Sequence, residues 1–159
     1  MGSFLDKLKK EGKLELVEPS EEMSISYQQK ARNCLQAAAL VFNGELYENA
    51  VGDAYYSMYN AVQSLFFKCG IKCENHSAAA VLLKKLFGLD QIYKTFSDAK
   101  EERIDKQYYV TPTQNNPVTK NSAEALLKIA SDFILRVDDF KRNLKISQID
   151  EIRAKFEQI

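Results

Sequence analysis

Between Glu45 and Cys69 the chain runs without a proline, and its apolar residues fall into two adjoining stripes at helical spacing. Leu46, Ala50, Ala54, Met58, Ala61 and Leu65 form one; Tyr47, Val51, Tyr55, Val62 and Phe66 form the other. A helix at a protein surface needs a single apolar stripe, so two stripes side by side describe one buried over much of its girth. Such a helix demands neighbours on several sides. Gly52 in its interior costs about 1 kcal/mol relative to Ala, and a close approach by a neighbouring helix is the natural reason to keep it. Gly70 supplies the stop.

The rest of the chain can provide those neighbours. Ser20 offers an N-cap with Glu21 and Glu22 in the first turn, and Ala31, Cys34, Leu35, Ala38, Ala39 and Phe42 then recur at three and four residues until Asn43-Gly44. Beyond the connection from Ile71 to Asn75, Ser77 to Phe87 reads as a shorter helix closed by Gly88. Another helix is expected from about Leu89 towards Tyr109, ending before Pro112. Asn116 before Pro117 resembles an N-cap with proline at the first helical position, opening a last core helix through Ala123, Leu126, Leu127, Ala130, Phe133, Ile134, Val137 and Phe140. A weaker terminal helix, Ile149 to Ile159, carries Ile152 and Phe156 to a surface of this bundle or of a second chain. At the other end, Ser3 to Lys10 reads as a short helix, closed by Gly12 ahead of an extended Leu14 to Val17. No segment reads as a convincing strand. The expected fold is all-α, an up-and-down antiparallel bundle of four or five helices over residues 20–159, with residues 1–19 as an N-terminal extension.

Composition bounds the function classes. The 159 residues carry 22 basic and 22 acidic groups, so no global charge marks a nucleic-acid or acidic partner. No apolar run approaches the roughly 20 residues that span a bilayer. Met1 to Lys10 holds Asp6, Lys7, Lys9 and Lys10 where a secretory signal would be apolar, and the expected compartment is the cytoplasm. Cys34, Cys69 and Cys73 are odd in number and suit reduced thiols. A metal reading exists beside this one, because Cys69, Cys73 and His76 lie in one short connection with Glu74 as the local fourth ligand.

Two features suggest a site. Between Gln63 and Lys94 the lysines 68, 72, 84, 85 and 94 oppose only Glu74 and Asp90, a local excess that suits phosphate where several ammonium groups share a surface. Tyr55, Tyr56, Tyr59 and Asn60 crowd the central helix, and two adjacent tyrosines sit about 100° apart around its axis. Core packing with tied hydroxyls is the default for such side chains, and the alternative, from that angular separation, is that one of the two reaches a ligand groove or a dimer surface.

The segment Ala54-Tyr55-Tyr56-Ser57-Met58-Tyr59-Asn60-Ala61 resembles the A-Y-Y-A-M-[FY]-[HN]-A helix of the HEPN domains, followed at suitable distance by Gly70-Ile71-Lys72 and His76. Arg103-Ile104-Asp105-Lys106-Gln107-Tyr108 is similar, more loosely, to the family's R-x-x-A-D-Y. With the helix order, the likeness runs from about Ser24 to Phe140.

The resemblance implies a dimeric helical bundle that binds RNA or a nucleotide and works with a nucleotidyltransferase-type partner. Some members are metal-independent ribonucleases of toxin-antitoxin or defence systems, needing no cofactor. Nuclease members carry Arg-x4-6-His. Here Arg103 is followed at that distance by Tyr108 and Tyr109, and the one histidine, His76, lies upstream. An imidazole exchanges protons near neutral pH, whereas an unperturbed tyrosine, with a pKa of about 10, needs strong activation. The implied catalytic set is Arg103, holding phosphate, with His76, Tyr108 or Tyr109 assisting proton transfer. The implied ligand-binding set is Lys72, Tyr55, Tyr56, Tyr59 and Asn60. A non-catalytic helical protein-interaction module is the alternative.

Overall fold

The computed structural model describes residues 3–103 and 118–159. Seven helices and two short strands follow in chain order among them: α1 Phe4–Lys10, β1 Leu14–Leu16, α2 Glu21–Asn43, α3 Tyr47–Lys68, β2 Ile71–Cys73, α4 His76–Lys85, α5 Asp90–Arg103, α6 Lys120–Arg142 and α7 Ile146–Glu157. No described helix is long and apolar enough to cross a membrane. The fold is a helical bundle, as its sequence periodicity predicts. α3 is its axis: α2, α5, α6 and β2 all pack against it, and Val51, Ala54, Tyr55, Met58, Val62, Leu65 and Phe66 are buried. Gly52 is buried with them.

Local chemistry explains the helix ends. Ser3 and Asp6 satisfy each other's backbone amides in a capping box at α1, and Ser20 accepts from the Met23 amide at α2. Asn75, not a hydroxyl residue, caps α4 by accepting from the Ala78 amide. The expected opening of α6 at Asn116-Pro117 lies outside the described residues. The cap of α6 is Thr119, whose side chain accepts from the Ser122 amide while the Ser122 hydroxyl takes the Thr119 amide. The continuation of α5 towards Tyr109 also lies outside them.

The absence of strands is corrected. β1 and β2 pair antiparallel with Leu14 opposite Cys73, Glu15 opposite Lys72 and Leu16 opposite Ile71. Three-residue strands carry too little alternation to be seen in one sequence, and their pairing is decided by a distant segment. Leu5, Leu8 and Leu14 join the same hydrophobic core as α3, and α7 settles beside them through buried Ile152 and Phe156. Thus α7 packs on its own chain. Lys9 lies 4.8 Å over the Phe156 ring, and Arg153 Nη1 donates to the carbonyls of Val17, Cys69 and Gly70 at 2.8, 3.0 and 2.9 Å. Gly70 has φ of +70°, and a Cβ there would meet Arg153 at 2.1 Å and the Val17 carbonyl at 2.3 Å.

Candidate functional site

The adjacent tyrosines of α3 part company as their angular separation requires. Tyr55 is 0 % exposed, whereas Tyr56 is 37 % exposed and lines a cleft of about 570 Å³ between α2, α3 and β2. Asp53, Tyr56, Asn60, Gln63 and Phe67 from α3 recur at three and four residues along it. Tyr27, Lys30 and Cys34 of α2 face them, and Lys72, Cys73 and Glu74 close one end. Tyr59 lines the cleft too.

Behind this wall, three helices bring their polar groups together. Tyr59 stacks on the His76 ring with centroids 3.9 Å apart and planes within 1°. The Tyr55 hydroxyl and His76 Nδ1 are hydrogen-bonded at 2.5 Å. Arg103, from the end of α5, is 8 % exposed and donates from Nη2 to the Tyr56 hydroxyl at 3.0 Å, with its guanidinium 4.7 Å from the Tyr56 ring and 5.3 Å from the Tyr55 ring. Such stacking suits a planar, delocalised cation. Tyr55 also stacks on Phe96, which stacks on Phe133 of α6, so an aromatic column ties the site to the core. Lys100 Nζ donates to the Ser77 hydroxyl at 2.7 Å, holding α5 against the start of α4.

These surroundings set the charge states. Burial, then the nearby Arg103 and Lys100, hold the His76 pKa below the usual imidazole value, so the ring is neutral near pH 7. Burial drives Tyr55 far above the ordinary tyrosine range and Tyr59 up to about 12. Both hydroxyls stay protonated. Neutral His76 has Nδ1 committed to Tyr55, and Nε2 has no hydrogen-bond partner among the described residues. When Nδ1 carries the ring proton and donates it to the Tyr55 oxygen, Nε2 is left as a proton acceptor.

The structure therefore brings Arg103 of α5 and His76 of α4 onto Tyr55, Tyr56 and Tyr59 of α3, three segments that the chain keeps apart. Tyr55 sits behind the cleft rather than in it. Asn60 lines the cleft while its Nδ2 donates to the Tyr56 carbonyl at 2.8 Å. Lys72 is at the cleft's end, ion-paired with Glu15 at 3.1 Å and Glu74 at 3.4 Å, and these carboxylates raise its pKa. Tyr108 and Tyr109 lie outside the described residues. The lysine excess between Gln63 and Lys94 does not gather at this cleft: Lys72 lines it, Lys68 leans towards Glu21 in another cleft and Lys84 lies over the Tyr93 ring. No group of three or more His, Cys, Asp or Glu that would hold a metal occurs among the described residues. His76 turns to Tyr55, and Cys73 Sγ contacts the Asn75 carbonyl at 3.4 Å.

Tyr27, Lys30, Asp53 and Phe67 escape a reading by motif. Their signal was the three-and-four spacing along each helix, which marks a shared face without saying what it meets.

A family model of the HEPN domain matches residues 26–140. The chain belongs to the HEPN family. No curated protein matches it. The HEPN match takes in α3, all of α2 beyond its first residues, and the whole Arg103, His76 and tyrosine cluster, while α1, β1 and α7 lie beyond it.

Proposed function

We propose that this HEPN domain binds RNA or a nucleotide in the aromatic cleft, as a homodimer working with a nucleotidyltransferase-type partner in a toxin-antitoxin pair, and that its chemistry is ribonucleolytic and metal-independent. One observation carries the reading: Arg103 and neutral His76, from different helices, meet on the tyrosines that wall an open cleft. Aromatic faces at Tyr27, Tyr56 and Tyr59 suit base stacking, which tolerates any base. Lys30 and Lys72 suit the backbone phosphates.

Cleavage without metal requires a proton acceptor for the ribose 2′-hydroxyl and a cation for the charge that grows on phosphorus-bound oxygens. In this reading the scissile phosphate passes the edge of the Tyr56 and Tyr59 wall to the groups behind it: His76 Nε2 takes the proton as the 2′-oxygen bonds phosphorus, Arg103 meets the equatorial oxygens, and the bond to the 5′-oxygen breaks as water returns a proton to that oxygen, leaving a 2′,3′-cyclic phosphate. Tyr55 orients the imidazole throughout.

The test incubates wild type, Arg103→Ala and His76→Ala with labelled single-stranded RNA in chelator, and reads retention and cleavage on the same samples. Cleavage lost in both variants, while melting curves show that each still folds at the assay temperature, is the expected result. Binding that falls in Arg103→Ala without any cleavage reduces the function to RNA binding. Neither binding nor cleavage overturns the reading in favour of a protein-interaction module, for which Leu40 of α2, Leu135 of α6 and Ile146 of α7, exposed by 66, 65 and 79 %, are the specific support.

A further inference from the structure

A second cleft, about 350 Å³, lies between α2, α3 and the last turns of α6 and shares no lining residue with the aromatic one. Four cations line it, Arg32, Lys68, Lys141 and Arg142, against two carboxylates, Glu21 and Asp138. The available pairings are loose. Arg32 lies 3.7 Å from Asp138 and Lys68 3.8 Å from Glu21, while Arg142 turns to Asp139 at 3.2 Å.

Lys141 is the unusual member. It is 5 % exposed, yet no carboxylate lies within 4.0 Å of its Nζ among the described residues. Its hydrogen bond goes to the buried Ser64 hydroxyl at 2.7 Å, and that hydroxyl in turn donates to the Ser24 carbonyl at 2.7 Å. An ammonium has three donors, and Ser64 engages one. Buried charges in proteins are paired as a rule, because the loss of hydration is otherwise uncompensated. Burial accordingly lowers the Lys141 pKa; Asp138 and Glu21 oppose the fall, and Lys68 and Arg32 add to it.

We propose that this cleft binds a phosphate group, with Lys141 as its buried anchor and Arg32, Lys68 and Arg142 around the opening. An arriving dianion supplies the counter-charge that Lys141 lacks, and the guanidinium forks of Arg32 and Arg142 match phosphate oxygens. The volume lies within the range of small-ligand sites, so the phosphate can be free or can carry an organic group. The site is independent of the aromatic cleft and does not rest on ribonuclease action.

The full chain is titrated with sodium phosphate at constant ionic strength, sodium chloride serving as control, and read by thermal shift and calorimetry. A saturable rise in Tm with phosphate alone is expected. Lys141→Met, which keeps an unbranched chain in the buried channel and the Ser64 to Ser24 bond, is expected to hold its basal Tm and weaken phosphate binding by about tenfold or more. An Arg32→Ala, Lys68→Ala double variant gives the same loss and serves if Lys141→Met does not fold. Comparing 5′-phosphorylated with 5′-hydroxyl oligonucleotides then separates the sources: preference for the phosphorylated end assigns a phosphate ester, and equal binding of orthophosphate assigns the free ion. No saturable shift in wild type, or undiminished binding in both variants, overturns the proposal.

Discussion

His76 is the one histidine of the chain, and its ring sits between a tyrosine face and a tyrosine hydroxyl beside two cations. A proton added there loses hydration and meets Arg103 and Lys100, so its NMR titration is expected to show a midpoint below 6.5. The folded pKa lies below the unfolded one, so as pH falls the unfolded chain takes up the proton first. The His76 contribution to stability is therefore complete above about pH 6.5 and is lost as pH falls through the folded midpoint. Urea midpoints at pH 7.5 and at pH 5.5 test this, and the part of the drop due to His76 should vanish in His76→Phe. Tyr55→Phe keeps the aromatic column and removes only the hydroxyl, with an expected cost of about 1 kcal/mol in urea unfolding.

Connections between elements carry the backbone strain. Gly70 joins α3 to β2 at φ +70° where Arg153 and the Val17 carbonyl fill the space beside it, whereas Gly12 has the same φ with nothing nearby. Gly12→Ala is expected to cost about 1–2 kcal/mol from the left-handed backbone alone. Gly70→Ala adds collision with backbone, and its expected loss exceeds about 3 kcal/mol by chemical denaturation. Equal losses at the two sites would refute this account of α7 docking. Glu45, between α2 and α3, holds φ at +63° with a side chain attached. Glu45→Gly is expected to stabilise the hairpin by about 0.5–1 kcal/mol, the relief of strain exceeding the entropy cost of glycine.

The whole molecule is formally neutral, so RNA affinity must come from local groups and stacking rather than from its overall field. With Lys30, Lys72 and Arg103 as the phosphate contacts, the logarithm of affinity for single-stranded RNA is expected to fall with the logarithm of salt at a slope of about −2. A slope several times steeper would place the RNA elsewhere, on a larger basic surface. The aromatic column from His76 through Tyr55 and Phe96 to Phe133 couples the site to the core, so site variants need melting curves beside every binding measurement.

The sequence by itself determined the helices, because each long apolar stripe repeats over several turns and several ends carry a local signal such as Ser20 or Gly70. It also determined that Tyr55 and Tyr56 must diverge, since one residue turns a helix by about 100°. Family membership was legible in the same tyrosine-rich helix. Three things were decided only in tertiary structure. β1 and β2 pair across the chain, and neither has a length at which periodicity speaks. Arg103 and His76 meet because α4 and α5 fold back on α3, a juxtaposition that no spacing rule encodes. Lys141, one more cation in a polar last turn of α6, becomes a buried charge only when α2 and α3 close over it, because burial is a property of the packed neighbours and not of the residue.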